Sequence, residues 1–114
     1  ERLALEAADE QVRLGQGFDH CLSFDDWSPG RLRGVATLYG ATSGRTMAVM
    51  SDQPGLQLYT GNHLQQVGLP RRSGLCLEPQ HLPDSPHRPT FPSTLLRPGQ
   101  TYRHRLGFVF DAQR

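Results

Sequence analysis

Glu78 closes a short apolar run, Gly74-Leu-Cys-Leu-Glu78, and is followed at once by Pro79. Leu75 and Leu77 alternate with Cys76 and Glu78, so a strand here turns Glu78 away from the leucines. Proline at 79 biases the preceding residue towards extended geometry and brings no N–H to a ladder. Both effects hold one carboxylate at a strand end, where a small polar ligand can reach it. A second run, Gly55–Thr60, obeys the same rule, with Leu56 and Leu58 on one face and Gln57 on the other. If these two strands are neighbours, Gln57 and Glu78 share a cleft. Taken singly, Glu78 reads as an ordinary solvated carboxylate, because lone glutamates usually are.

Asp19 and His20 are adjacent on a strand-like segment and so point to opposite faces. They cannot act on each other, and one faces in while the other faces out. On their residue types alone they read as a turn carboxylate and a surface imidazole. His81, Asp84 and His87 could be imagined as zinc ligands. Their spacing fits no standard ligand pattern and the intervening prolines separate them, so no metal site is expected. Gly15-Gln-Gly17 lacks the third glycine and the following helix of a dinucleotide fingerprint, and neither a P-loop nor a GxSxG turn occurs.

The elements that must position these groups are mostly strands. Residues 2–14 are ambiguous: Leu3, Ala7, Ala8 and Val12 permit a short helix, whereas Glu10–Leu14 alternates like a strand. Phe18–Phe24 is expected as a short strand, and Asp25-Asp-Trp-Ser-Pro-Gly30 as a hairpin loop dense in turn formers. Arg31–Tyr39 and Arg45–Ser51 are expected to pair across a turn at Thr42-Ser-Gly44. Tyr102, His104, Leu106, Phe108 and Phe110 share one face of a long last strand. Short strands at this spacing predict an all-β, antiparallel sandwich or barrel.

The 114 residues suit one domain spanning 1–114, able to bury roughly two thirds of the unfolded surface. An apolar fraction of 36% is low for a self-sufficient core, and the mean hydropathy of -0.53 agrees. The formal charge is +1 and every basic residue is Arg. These arginines are scattered, apart from Arg71-Arg72 and Arg103/Arg105, which argues against nucleic acid as a partner. No apolar run approaches the ~20 residues that span a membrane. Cys21 and Cys76 form no CxxC, and two buried thiols in a reducing compartment are expected rather than a disulfide. The chain begins Glu1-Arg2-Leu3 without a Met or a leader-like segment, so it reads as a fragment or trimmed chain, with a cytoplasmic location expected.

Several motifs, in order, resemble one family. Gly17-Phe-Asp-His20, then Ser43-Gly-Arg45 with Pro54-Gly-Leu-Gln-Leu-Tyr-Thr-Gly-Asn62, then Gly74-Leu-Cys-Leu-Glu78 with Gln80, and finally Phe91-Pro-Ser93 and Leu96-Arg-Pro-Gly99 are similar to the C-terminal part of the aldose 1-epimerases, the galactose mutarotases. The resemblance runs from about Gly17 to Phe110. It implies a large antiparallel β-sandwich, part of a galactose-mutarotase-like supersandwich. It also implies that an aldohexose such as galactose or glucose is the substrate, its α and β anomers interconverting. Glu78 matches the family's general base, and Asp19 and Gln57 match positions that hydrogen-bond sugar hydroxyls. No cofactor is implied, because only protons move.

The chain departs from the family pattern in places. The family's general acid is a His in an earlier segment with no match here, and neither His20 nor His63 fits its motif. Pro79 stands where Thr is usual after the base, Cys21 stands where Asn is common, and the link from Asn62 to Gly74 is shorter. Three readings follow: the C-terminal part of a working mutarotase completed by an N-terminal segment or second polypeptide, a non-catalytic sugar-binding module that keeps Asp19 and Gln57, or a truncated inactive product. On the fragment reading, unpaired strand edges favour self-association.

Overall fold

The computed structural model describes residues 9–112. It is mostly antiparallel strand: a five-residue helix, α1 (Glu10–Leu14), precedes β1 (Asp19–Ser23), β2 (Arg33–Tyr39), β3 (Arg45–Ser51), β4 (Gly55–Tyr59), β5 (Cys76–Gln80) and β6 (Leu106–Ala112). The strands form two three-stranded sheets, one ordered β1-β4-β5 and the other β2-β3-β6, as expected for the all-β sandwich class. No helix among the described residues is long and apolar enough to cross a membrane. The chain divides into two compact units, one formed by residues up to 22 with 57–78, the other by 23–56 with residues from 79 on.

In the first unit the 10–14 segment is helical, which resolves the ambiguity against a strand. The local chemistry explains this. The Asp9 carboxylate caps the helix by accepting from the Gln11 N–H at 2.7 Å, Glu10 sits in the first turn and Arg13 in the last, and these charges suit the helix dipole. Gly15 closes the helix, donating its N–H to the Gln11 carbonyl at 2.9 Å. Leu3, Ala7 and Ala8, the rest of that ambiguous stretch, lie outside the described residues. Val12 is the one buried helix residue. It packs with Phe18 and Leu58, and Leu77 leans on that cluster.

The turn after α1 is built around Asn62, which is wholly buried. Its Nδ2 donates to the carbonyls of Gly15 and Phe18, each at 3.0 Å, and its Oδ1 accepts from the Thr60 hydroxyl at 2.8 Å. Gly17 adopts φ 138, and a Cβ there would collide with the Asn62 and Thr60 side chains. This is the reason for glycine before Phe18.

In the second unit β2 and β3 form the expected hairpin, from Arg33↔Ser51 to Tyr39↔Thr46, with a bulge between Gly34 and Ala36. The turn is closed by the Gly40 N–H on the Arg45 carbonyl at 2.8 Å. β6 pairs antiparallel with β3, from Arg45↔Ala112 to Ser51↔Leu106.

Three expectations need correction. The loop 25–30 joins strands of different sheets, so it is not a hairpin loop. Instead the Trp27 indole N–H donates to the Asp52 carbonyl at 2.9 Å. The last strand starts at Leu106 rather than Tyr102 because Arg105 is taken by Asp52 and His104 by Ser51 (3.4 Å). The two cysteines are not both buried: Cys21 is half-buried and Cys76 exposed, with no disulfide between them. Both fall at strand positions that alternate away from the apolar cluster.

Candidate functional site

The polar face of the β1-β4-β5 sheet follows from alternation. β1 and β4 are neighbours. Thr60 N–H donates to the Phe18 carbonyl and Phe24 N–H to the Pro54 carbonyl, each at 3.0 Å. The strands are therefore antiparallel, with Cys21 across from Gln57. In β4 Leu56 and Leu58 are buried, while Gln57 and Tyr59 are half-buried. Phe18, just before β1, is in the core, and His20 of β1 meets it edge-on, ring centroids 6.0 Å apart. Asp19 accordingly faces the other way and is exposed. The sequence expected one of the Asp19–His20 pair in and one out, and this is the observed arrangement. Asp19 is a strand residue, however, not a turn residue.

Asp19 and Gln57 meet. Gln57 Nε2 donates to Asp19 Oδ1 at 2.7 Å. The bond is diagonal, since Gln57 lies two residues along from Tyr59, the residue opposite Asp19. It turns Gln57 Oε1 away from Asp19 and leaves Asp19 Oδ2 without a partner among the described residues. The pair thus presents acceptors outward, which suits a ligand rich in hydroxyl donors.

Glu78 lies in β5, beside β4. Leu77 packs on the apolar cluster, so alternation directs Glu78 to the face that carries Gln57 and Asp19. Its carboxylate is exposed and has no hydrogen-bond or ion-pair partner among the described residues. β5 is an edge strand and runs through Pro79 to Gln80, so Glu78 lies in the middle of the strand and not at its end, proline being tolerated on a sheet edge.

Tyr59, which alternation also places on this face, was not named as a site residue from the sequence. Tyr59 is two positions from Gln57 on the same side, and its hydroxyl accepts the His63 N–H at 2.9 Å. The same period-two rule that singled out Gln57 marks it. Arg71 and Arg72 do not approach a ligand site; each donates to the Gln16 carbonyl at 2.9 Å, bracing the turn after α1. The imagined zinc group is dispersed. Asp84 pairs with His87 at 2.7 Å and Arg88 at 2.9 Å on the surface, whereas His81 bonds to Gln53 at 2.9 Å.

The second unit holds a polar network of its own. Asp52 is buried, yet its carboxyl is held below the ordinary carboxylate pKa. Burial pushes it up, but the Arg105 backbone N–H, the Arg105 guanidinium and the Gln53 amide together outweigh that. Arg105 donates to Asp52 through its backbone N–H and its Nε, each at 3.1 Å, and Nη2 reaches the Gly30 carbonyl. His81 is pushed below the ordinary histidine pKa by partial burial and by the nearby His104.

The family model described as aldose 1-epimerase matches residues 4–109. Galactose mutarotase from Mus musculus is 42% identical over 102 residues, covering 83% of this chain and 29% of the relative. Galactose mutarotase from Homo sapiens is 41% identical over 104 residues, with the same coverage, 83% and 29%. Aldose 1-epimerase from Escherichia coli (strain K12) is 33% identical over 116 residues, 93% of this chain and 33% of the relative. The chain thus spans 29–33% of the length of these relatives. With a family match over nearly all described residues, and an antiparallel fold that agrees with it, this chain belongs to the aldose 1-epimerase family.

Proposed function

We propose that this chain supplies the general base and part of the sugar-gripping surface of an aldose 1-epimerase acting on a hexose such as galactose or glucose. The hydrogen-bonded Asp19–Gln57 pair, beside the strand that carries Glu78, is the observation that supports it. In this reading Asp19 Oδ2 and Gln57 Oε1 accept pyranose hydroxyls and hold the ring over Glu78. The Glu78 carboxylate takes the proton of the C1 hydroxyl as an acid protonates the ring oxygen. The C1–ring oxygen bond breaks and C1 becomes an aldehyde carbon. Rotation about C1–C2 presents the other face, and the reverse proton transfers close the ring as the opposite anomer. No proton is gained or lost overall, and the cycle requires no cofactor. The acid is not assigned to a residue of this chain.

A second reading, a sugar-binding module with little turnover, draws on the exposure of Glu78, since general bases are commonly held in partly buried surroundings. NMR exchange measurements on galactose anomers separate the two. Glu78→Gln is expected to abolish any acceleration above solvent, and a complete acid–base pair to exceed these 114 residues alone by ~10²–10⁴. Galactose titration is expected to move the Gln57 side-chain amide signals in either reading. Amide signals that stay fixed at saturating galactose would sink both.

A further inference from the structure

The second unit contains a cleft of about 580 Å³, within the roughly 300–1,000 Å³ of small-molecule sites. His81, Trp27, Tyr102, Ser93, Thr101 and Arg103 are among the residues that line it. Asp19, Gln57 and Glu78 are not. We propose that this cleft is a second carbohydrate-binding site, in which Nε2 of His81 accepts a hydrogen bond from a sugar hydroxyl.

The argument starts from Arg105. Its two bonds to Asp52 hold that buried carboxylate anionic. An anion at this point orients the next residue. Gln53, also buried, turns its Nε2 to Asp52 Oδ1 at 3.4 Å. The flipped amide would aim its oxygen at a carboxylate, so the orientation is set. Gln53 Oε1 then faces His81 Nδ1 at 2.9 Å. An amide oxygen only accepts, so Nδ1 must carry the proton. In a neutral imidazole the remaining nitrogen, Nε2, is a bare lone pair. Partial burial and the neighbouring His104 favour that neutral form. Among the described residues Nε2 has no partner.

The chain Arg105–Asp52–Gln53–His81 therefore delivers one fixed acceptor to a cleft that also offers aromatic rings and hydroxyls. Trp27 is held by the same segment through its indole N–H on the Asp52 carbonyl. A ligand complementary to these groups has an apolar face to lie on an aromatic ring and O–H groups to donate, and a pyranose has both. A free anion fits less well. Arg103 would attract it, but the Nε2 lone pair would repel it.

The wild-type protein tests this by long-range ¹H–¹⁵N spectra of its histidines at neutral pH, with methyl β-galactopyranoside, lactose or inorganic phosphate added. His81 is expected as the Nδ1–H tautomer, with its Nε2 signal and the Trp27 indole signal moving saturably with either sugar. His81→Phe is expected to weaken the response of the Trp27 indole signal roughly tenfold, the loss of one hydrogen bond to a ligand. Glu78→Gln is expected to leave it intact. An Nε2–H tautomer overturns the proposal, as does a response to phosphate alone, or one lost in Glu78→Gln but kept in His81→Phe. Should His81→Phe fail to fold, the wild-type tautomer and sugar titration decide the matter unaided.

Discussion

The molecule uses the same two residue types twice, a carboxylate and a glutamine amide, to opposite ends. On the β1-β4-β5 face Gln57 donates to Asp19 at 2.7 Å, and the carboxylate is exposed. In the second unit Gln53 donates to Asp52 at 3.4 Å, and both side chains are buried. The first pair has acceptors left over, whereas Arg105 and His81 engage most of what the second pair has left. The contrast shows that surroundings, not residue type, decide whether such a pair receives a ligand or holds the chain together. Buried polar groups must find partners, and once found these stabilise the fold.

The largest expected difference between the pairs is in stability. Asp52→Ala leaves Gln53 and Arg105 without their acceptor, and a loss of roughly 2–3 kcal/mol is expected. That is below the ~3–5 of a fully buried pair, because Arg105 is half-exposed. Asp19→Ala is expected to change stability by under ~0.5 kcal/mol, as surface substitutions usually do. Urea unfolding of the two variants checks this, and equal losses would erase the distinction.

Binding should reverse the order. Asp19→Ala is expected to weaken the response of the Gln57 amide signals to galactose roughly tenfold, the worth of about one hydrogen bond to a ligand. Asp52→Ala, studied where it remains folded, is expected to leave that response unchanged.

Acid should sharpen the comparison further. The native Asp52 carboxyl and the native His81 ring both sit below their ordinary values of 3.8 and 6.5. In each case the unfolded chain binds more protons across the window between the two values, so stability rises with pH there. The His81 contribution is complete above pH 6.5 and is lost as pH falls through the native value. That of Asp52 is complete above pH 3.8 and is lost below it. Urea midpoints measured from pH 7.5 down to pH 3 should fall in two stages, with the upper stage absent in His81→Phe. Asp19→Ala should leave both stages in place.

The smallest effect concerns β6, the edge of its sheet. Phe108 and Phe110 are 50% and 72% exposed and stack with centroids 6.2 Å apart. Exposed apolar edge strands invite pairing. Concentration-dependent association is expected in sedimentation, and Phe110→Ser is expected to reduce it. Unchanged association in that variant would move the contact elsewhere.

The strand content, the β2–β3 hairpin, and the division of β4 and β5 into an apolar and a polar face were legible in the sequence. Period-two alternation acts within a few residues and depends on no distant partner. That is how Gln57 and Glu78 could be singled out, and how one of Asp19 and His20 was expected to face outward; the choice of Asp19 and the expected roles came from the family resemblance. The start of β6 and the exposure of its phenylalanines could not be read the same way. Whether Tyr102–Arg105 join a strand depends on Asp52, about fifty residues earlier in the chain, reaching Arg105 before the ladder does. The choice between helix and strand at Glu10–Leu14 stayed open for a related reason, and a cap at Asp9 and a buried site for Val12 decided it against a weak alternation. Only the tertiary structure decided that Asp19 would meet Gln57, that β5 would lie beside β4, and that Gln53 would be locked between Asp52 and His81. Such pairings are set by strand order and burial, which bring together residues far apart in the chain.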